Sequence, residues 1–139
     1  MATILAHIEI KPGKEAQWEA IMTDLVRRTF EQEDQVLRYE YFKGREPLHY
    51  YCLLSFENKY AFYLHQASDY HEDHESVYLE GVLADVELEY LDPVTGACEL
   101  PPTENPPLPA GTSEALRKYE SICPILIPEW WAARAETNI

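Results

Sequence analysis

The stretch Ser55–Ser68, SFENKYAFYLHQAS, passes from one kind of structure into another. A strand closes at Phe56, a short helix opens past Asn58, and His65 falls near that helix's end. Upstream, His49–Phe56 is an aromatic and aliphatic run and Val36–Lys43 is rich in Tyr, Phe and Val. Gly44, Arg45, Glu46 and Pro47 separate them as a turn, so the two runs read as an antiparallel hairpin.

Working outward, Thr3–Ile10 alternates with a period of two, placing Ile4, Ala6, Ile8 and Ile10 on one face and Leu5, His7 and Glu9 on the other. Lys11, Pro12 and Gly13 stop this strand. Trp18, Ile21, Met22, Leu25, Val26 and Thr29 then recur at helical spacing, which predicts an amphipathic helix from Lys14 to about Gln32. Asn58 to about Leu83 is mostly helical, with a break near Ser68 and Asp69, residues that can cap a second segment. A last strand, Asp85–Leu91, sets Val86, Leu88 and Tyr90 opposite Asp85, Glu87 and Glu89. The order β-α-β-β-α-β predicts a ferredoxin-like α+β fold, a four-stranded antiparallel sheet with its helices on one face. The other face carries apolar side chains too and needs a cover, for which a second copy of the chain is the economical choice.

A chain of 139 residues with 46% hydrophobic composition can bury one core. The formal charge of −14 excludes nucleic acid as a partner, because phosphate binding needs Lys and Arg clusters that are absent. The first residues lack the basic and apolar regions of a secretory signal, and no apolar run approaches the ~20 residues of a membrane helix. Cys52, Cys98 and Cys123 are odd in number and widely spaced, which argues against a disulfide framework or a zinc site and for a reducing cytoplasm.

The expected organisation is a domain over residues 1–97, a proline-rich linker over 98–111 and a tail over 112–139. Pro101, Pro102, Pro106, Pro107 and Pro109 favour extended chain. Ser113 to about Ile122 reads as a short helix. Ile125, Leu126, Ile127, Trp130 and Trp131 are too apolar to leave in water, so the tail is expected to dock on the domain, at the pocket mouth, or on the partner subunit.

The opening stretch resembles the hallmark segment of the antibiotic biosynthesis monooxygenase family. Phe56, Asn58, Ala61, His65 and Ser68 fall where that family places the aromatic that ends the third strand, the polar turn, the Ala-rich helix and a His-x-x-Ser step. The resemblance covers about Met1–Ala97. It implies a dimeric α+β barrel, with a pocket between each sheet and its own helices. It also implies cofactor-independent oxygenation of a small aromatic or quinol-type compound by dioxygen.

His65 is the candidate base, since an imidazole can take a phenolic proton near neutral pH. His7 and Tyr39 are its candidate helpers, His7 only if its face of the first strand lines the cavity. Tyr41, Tyr51, Phe56 and Trp18 are the candidates for binding substrate; Tyr39 and Tyr41 share a strand face that Tyr51 is expected to join. His71 and His74 lie one turn apart among Glu72, Asp73 and Glu75, a spacing that suits a metal but reads more simply as a solvated acidic helix start. A haem-degrading branch shares the barrel, yet the first strand has no Asn and Phe56 stands where that branch has Trp. Many family members also carry a Glu at the place of Leu54, so this chain lacks the carboxylate to which the resemblance would assign the orienting of a base. A polyketide-type cyclase or isomerase on the same barrel and a non-catalytic small-molecule-binding protein remain alternatives. Nothing matches a nucleotide-binding loop or a serine-nucleophile elbow.

Overall fold

A computed structural model describes residues 1–92 and 104–125. The chain forms β1 (Ala2–Ile10), α1 (Glu15–Gln32), β2 (Val36–Lys43), β3 (His49–Phe56), α2 (Lys59–Gln66), α3 (Asp69–Gly81), β4 (Leu83–Tyr90) and α4 (Glu114–Ile122). The four strands make one antiparallel sheet in the order β2-β3-β1-β4. This is the ferredoxin-like α+β architecture read from the sequence. The expected helix over residues 58–83 is two helices, α2 and α3, broken where Ser68 and Asp69 fall.

Register decides which side chains meet. Ile4 pairs with Leu54 and Tyr90, Ala6 with Cys52 and Leu88, and Ile8 with Tyr50 and Val86. These side chains point to the helices, and Ile4, Ala6, Ile8 and Ile10 are all buried. Trp18, Ile21, Met22, Leu25 and Thr29 form the buried stripe of α1 above them. Each large apolar side chain taken fully from water contributes about 1.5–3 kcal/mol, and this two-layer core is where that burial concentrates.

The local signals differ from element to element. Asn58 caps α2 through its side-chain oxygen, which accepts from the Ala61 N–H at 2.9 Å. Ser68 occupies the corresponding position before α3 but does not cap it with its side chain. Its hydroxyl instead donates back to the His65 carbonyl at 2.7 Å, so the expected forward cap is replaced by a tie that fixes the end of α2. In the β2–β3 turn a Cβ on Gly44 would sit 2.9 Å from the His49 carbonyl oxygen, a close approach that only glycine tolerates.

Residues 104–125 fold back onto the domain. The Glu104 N–H donates to the Met1 carbonyl at 3.0 Å. Ser113 caps α4, which packs against α2 and buries Leu116 and Tyr119, with Ile125 buried just beyond. The expectations for Cys98 to Pro102, and for Leu126, Ile127, Trp130 and Trp131, fall outside the described residues. Among the described residues no helix is long and apolar enough to cross a membrane.

Candidate functional site

Between the sheet and its helices lies a cavity of about 240 Å³, lined mainly by apolar and aromatic side chains. Ile4, Ala6 and Ile8 form its floor, Trp18 and Leu25 come from α1, and His65, His71 and Tyr78 come from α2 and α3. The polar groups in this wall are few, so each is informative.

His65 sits at the end of α2 with no solvent-exposed side-chain surface, at 0%. Its Nδ1 lies 2.9 Å from Glu33 Oε1. A carboxylate can only accept, so Nδ1 donates, and it is Nε2 that holds the lone pair whenever the ring carries a single proton. Nε2 is buried and has no hydrogen-bond partner among the described residues. Glu33, just past the end of α1, also accepts a hydrogen bond from the Tyr70 hydroxyl, which meets Thr29 Oγ1 at 3.2 Å. The Tyr70 hydroxyl and the His65 ring thus share one oxygen of Glu33, and the carboxylate held by the phenol orients the imidazole.

Aromatic rings surround this imidazole. Tyr39 approaches edge-on at 4.8 Å between centroids, Phe56 packs at 5.3 Å and His71 at 5.0 Å. The Tyr39 and Tyr41 hydroxyls are 2.9 Å apart. Burial raises the pKa of both phenols well above the ordinary tyrosine value, so both remain protonated donors. Burial likewise pushes up the Cys52 thiol, which keeps it an inert part of the wall. His71 is pushed down to about 3, first by burial and then by the neighbouring His65 and His74, so it is neutral. Its Nδ1 has no hydrogen-bond partner among the described residues, and its Nε2 lies 3.5 Å from the Tyr78 hydroxyl.

The sequence candidates divide by sheet face. His65, Tyr39, Tyr41 and Trp18 gather around the cavity. Phe56 is fully buried and packs on His65 and Phe62. His7 and Tyr51 point the other way, which corrects the expectation that Tyr51 joins Tyr39 and Tyr41. The register pairs Tyr41 with Cys52 and Phe42 with Tyr51, so Cys52 takes the inward place. His7 lies against the Tyr51 ring edge at 5.5 Å and holds Glu89 at 3.0 Å, away from the pocket.

Glu33 behind His65, and the wall residues His71 and Tyr78, escaped the sequence reading as members of the site. Glu33 gave no local signal, because it reaches His65 across 32 positions of chain. His71 and Tyr78 did, lying seven residues and about two turns apart on a face that the acidic composition of α3 obscured. His71 is buried, not solvated, and His74 bonds Asp24 of α1 at 3.0 Å. Among the described residues no group of three or more His, Cys, Asp and Glu side chains converges to hold a metal ion.

A ferredoxin-like sheet with an aromatic pocket beneath its own helices, and a carboxylate-held histidine in that pocket, defines the class of α+β protein to which the chain belongs. The family pattern of the antibiotic biosynthesis monooxygenases matches residues 1–76, and the chain belongs to that family. Solved structures agree in fold. PA3566 from Pseudomonas aeruginosa superposes with a TM-score of 0.61 at 21% identity, covering 67% of this chain and 93% of its own. A Caulobacter crescentus protein described under the family name gives 0.63 at 23%, covering 67% and 89%. Rv0793 from Mycobacterium tuberculosis gives 0.62 at 16%, covering 70% and 98%. No curated protein is significantly similar in sequence.

Proposed function

We propose that this protein is a cofactor-independent monooxygenase that oxidises a small phenolic or quinol-type aromatic compound, with His65 as base and Glu33 as its orienting partner. The observation that carries the reading is the asymmetry of the His65 ring. Nδ1 is committed to Glu33, while Nε2, in the wall of an aromatic cavity, has no partner among the described residues. Family membership supports the same chemistry.

In this reading the substrate hydroxyl gives its proton to Nε2, and the imidazolium formed is stabilised by the Glu33 carboxylate. Since solvent does not reach the ring, the wall gives slightly as substrate packs against it. The substrate anion passes one electron to dioxygen, and the resulting radical and superoxide join in a new C–O bond. The peroxide then loses water to leave a carbonyl. One oxygen atom ends in the product and the other in water, and no outside reductant is needed. Tyr39 and Tyr41, kept protonated by burial, are placed to donate to the substrate anion. At about 240 Å³ the cavity falls just under the ~300–1,000 Å³ usual for ligand sites, which suits one or two fused rings.

The reading includes a homodimer in which the outer sheet faces, with Leu5, Leu53, Phe42 and Tyr51, cover one another. Cys52 and Cys123 are free thiols, consistent with a cytoplasmic protein. Oxygen uptake with 1,4-dihydroxynaphthalene tests the chemistry. His65→Ala is expected to lower the rate by about 100-fold or more and Glu33→Gln by about 10-fold, while Tyr51→Phe on the other face leaves it unchanged. Equal uptake by His65→Ala would remove His65 from its role. Product formed at the same rate without dioxygen would select an isomerase or cyclase on the same pocket.

A further inference from the structure

The cavity is not closed by the family-matched residues alone. Beside Tyr78 and Leu79 of α3 and Leu83, Val86 and Leu88 of β4, part of its wall comes from Tyr119 and Ile122 of α4 and from Cys123 just after it. Tyr119, Ile122 and Cys123 lie past residue 76, where the family match ends, and about a third of the chain is not covered by the solved relatives above.

Specific polar contacts hold this segment in place. The Tyr63 hydroxyl of α2 and the Tyr90 hydroxyl of β4 both donate to the Cys123 carbonyl, at 3.0 and 3.1 Å. Two phenols from different layers of the fold thus converge on one backbone oxygen, which fixes it against helix and sheet at once. Lys59, at the start of α2, reaches Asn105 Oδ1 at 2.6 Å and Glu120 Oε1 at 2.9 Å. The Asn105 amide donates to the Ile125 carbonyl at 2.9 Å. The Tyr119 hydroxyl donates to Glu72 and lies 3.3 Å from Glu75, tying the ring to α3. Ile122 is held by none of these contacts and is 60% exposed, so it stands at the rim of the cavity.

We propose that residues 104–125 form the specificity wall of this pocket, and that Ile122 at its rim sets how long an aromatic ligand it accepts. A rigid wall sets length sharply, because a ligand one ring too long must displace backbone that two phenols and a buried lysine hold. Ligand size in this protein is therefore a property of its own C-terminal segment and does not carry over from relatives that lack it. The proposal rests on the pocket as the binding site and not on its oxygen chemistry.

Binding to the full-length protein tests it, with 1-naphthol as the two-ring probe and 9-phenanthrol as the three-ring probe, both followed by fluorescence. The native protein is expected to favour 1-naphthol by about 10-fold, the scale on which one misfitted group is rejected. Ile122→Ala should tighten 9-phenanthrol about 5-fold or more and leave 1-naphthol within about 2-fold, and Ile122→Trp should weaken both. An unchanged ratio in both variants, with unchanged circular dichroism, would overturn the wall; failure of the native protein to bind either probe would overturn the pocket itself. A second measurement needs no substitution. Alkylation of Cys123 by iodoacetamide, read by peptide mass spectrometry, should slow when 1-naphthol is bound, and an equal rate would count against the wall.

Discussion

A histidine that cannot take a proton without leaving its environment makes a protein sensitive to acid, and His71 is in that position. In the folded chain its pKa is pushed to about 3, against an ordinary value of 6.5. Its neighbours are His65 of α2, and His74 and Tyr78 of its own helix, with Glu75 in the same pocket wall. The folded state holds the neutral ring, whereas the unfolded chain protonates near 6.5. The stabilisation is thus fully present above pH 6.5 and is lost as pH falls from there toward 3, with a slope of up to about 1.4 kcal/mol per pH unit. Asp24 is held at about 2, chiefly by His74 and then by Arg27, so its own loss begins only below the ordinary aspartate value of 3.8. Urea unfolding of the native protein between pH 7 and pH 4.5 should show the slope, and His71→Gln should flatten it. An equal slope in the variant would place the acid-sensitive group elsewhere. His65 stood out in the sequence as a candidate through the His-x-x-Ser step that it opens and the family resemblance carried by that step. Glu33, one of many carboxylates in an acidic chain, became distinct only when the fold brought it to the ring.

The elements were legible where one periodicity ran without interruption, as in β1, whose inward residues Ile4, Ala6, Ile8 and Ile10 are the alternate positions of its pattern. Alternation alone cannot say which face receives helices, and so His7 and Tyr51 could be placed only by the register of β3 on its neighbours. The contact of α4 with α2 was equally hidden, since its polar half is one lysine that reads as surface. Lys59 has only 6% of its side chain exposed, while its partner Glu120 retains 35%. That asymmetry makes a directional prediction. Glu120→Ala leaves an ammonium in the interior with Asn105 as its one remaining partner among the described residues, a loss of about 1–3 kcal/mol. Lys59→Met keeps the apolar stem, removes the buried charge and frees Glu120 to be hydrated, so it should cost less than about 1 kcal/mol. Thermal unfolding ranks the two, and hydrogen exchange should quicken in residues 114–122 of the Glu120 variant before it does in β1 and β3. If Lys59→Met proves the more damaging, the ion pair itself contributes the stability and the burial argument fails.

For the whole molecule the large acidity bears on assembly. The outer face of the sheet carries Leu5, Leu53, Phe42 and Tyr51, partly or largely open to solvent and, among the described residues, not covered by helices as the inner face is. Carboxylates bracket this strip. The register places Glu89 beside Leu5, Glu87 beside His7 and Glu40 beside Leu53. In the proposed homodimer a twofold axis packs this strip on its copy and brings the carboxylates of two chains together, each of formal charge −14. Apolar burial favours the pair and long-range repulsion opposes it, and salt changes mainly the second. Raising ionic strength from 0.01 M to 0.15 M shortens the screening length from about 30 Å to about 8 Å, so the dimer should tighten several-fold over that range. Sedimentation equilibrium measures the constant directly, and Leu53→Arg, which sets a cation on the strip, should yield monomer without disturbing probe binding in the pocket. A dimer that weakens as salt rises would mean that opposite charges hold the chains together, and would move the contact away from the Leu5 and Leu53 face.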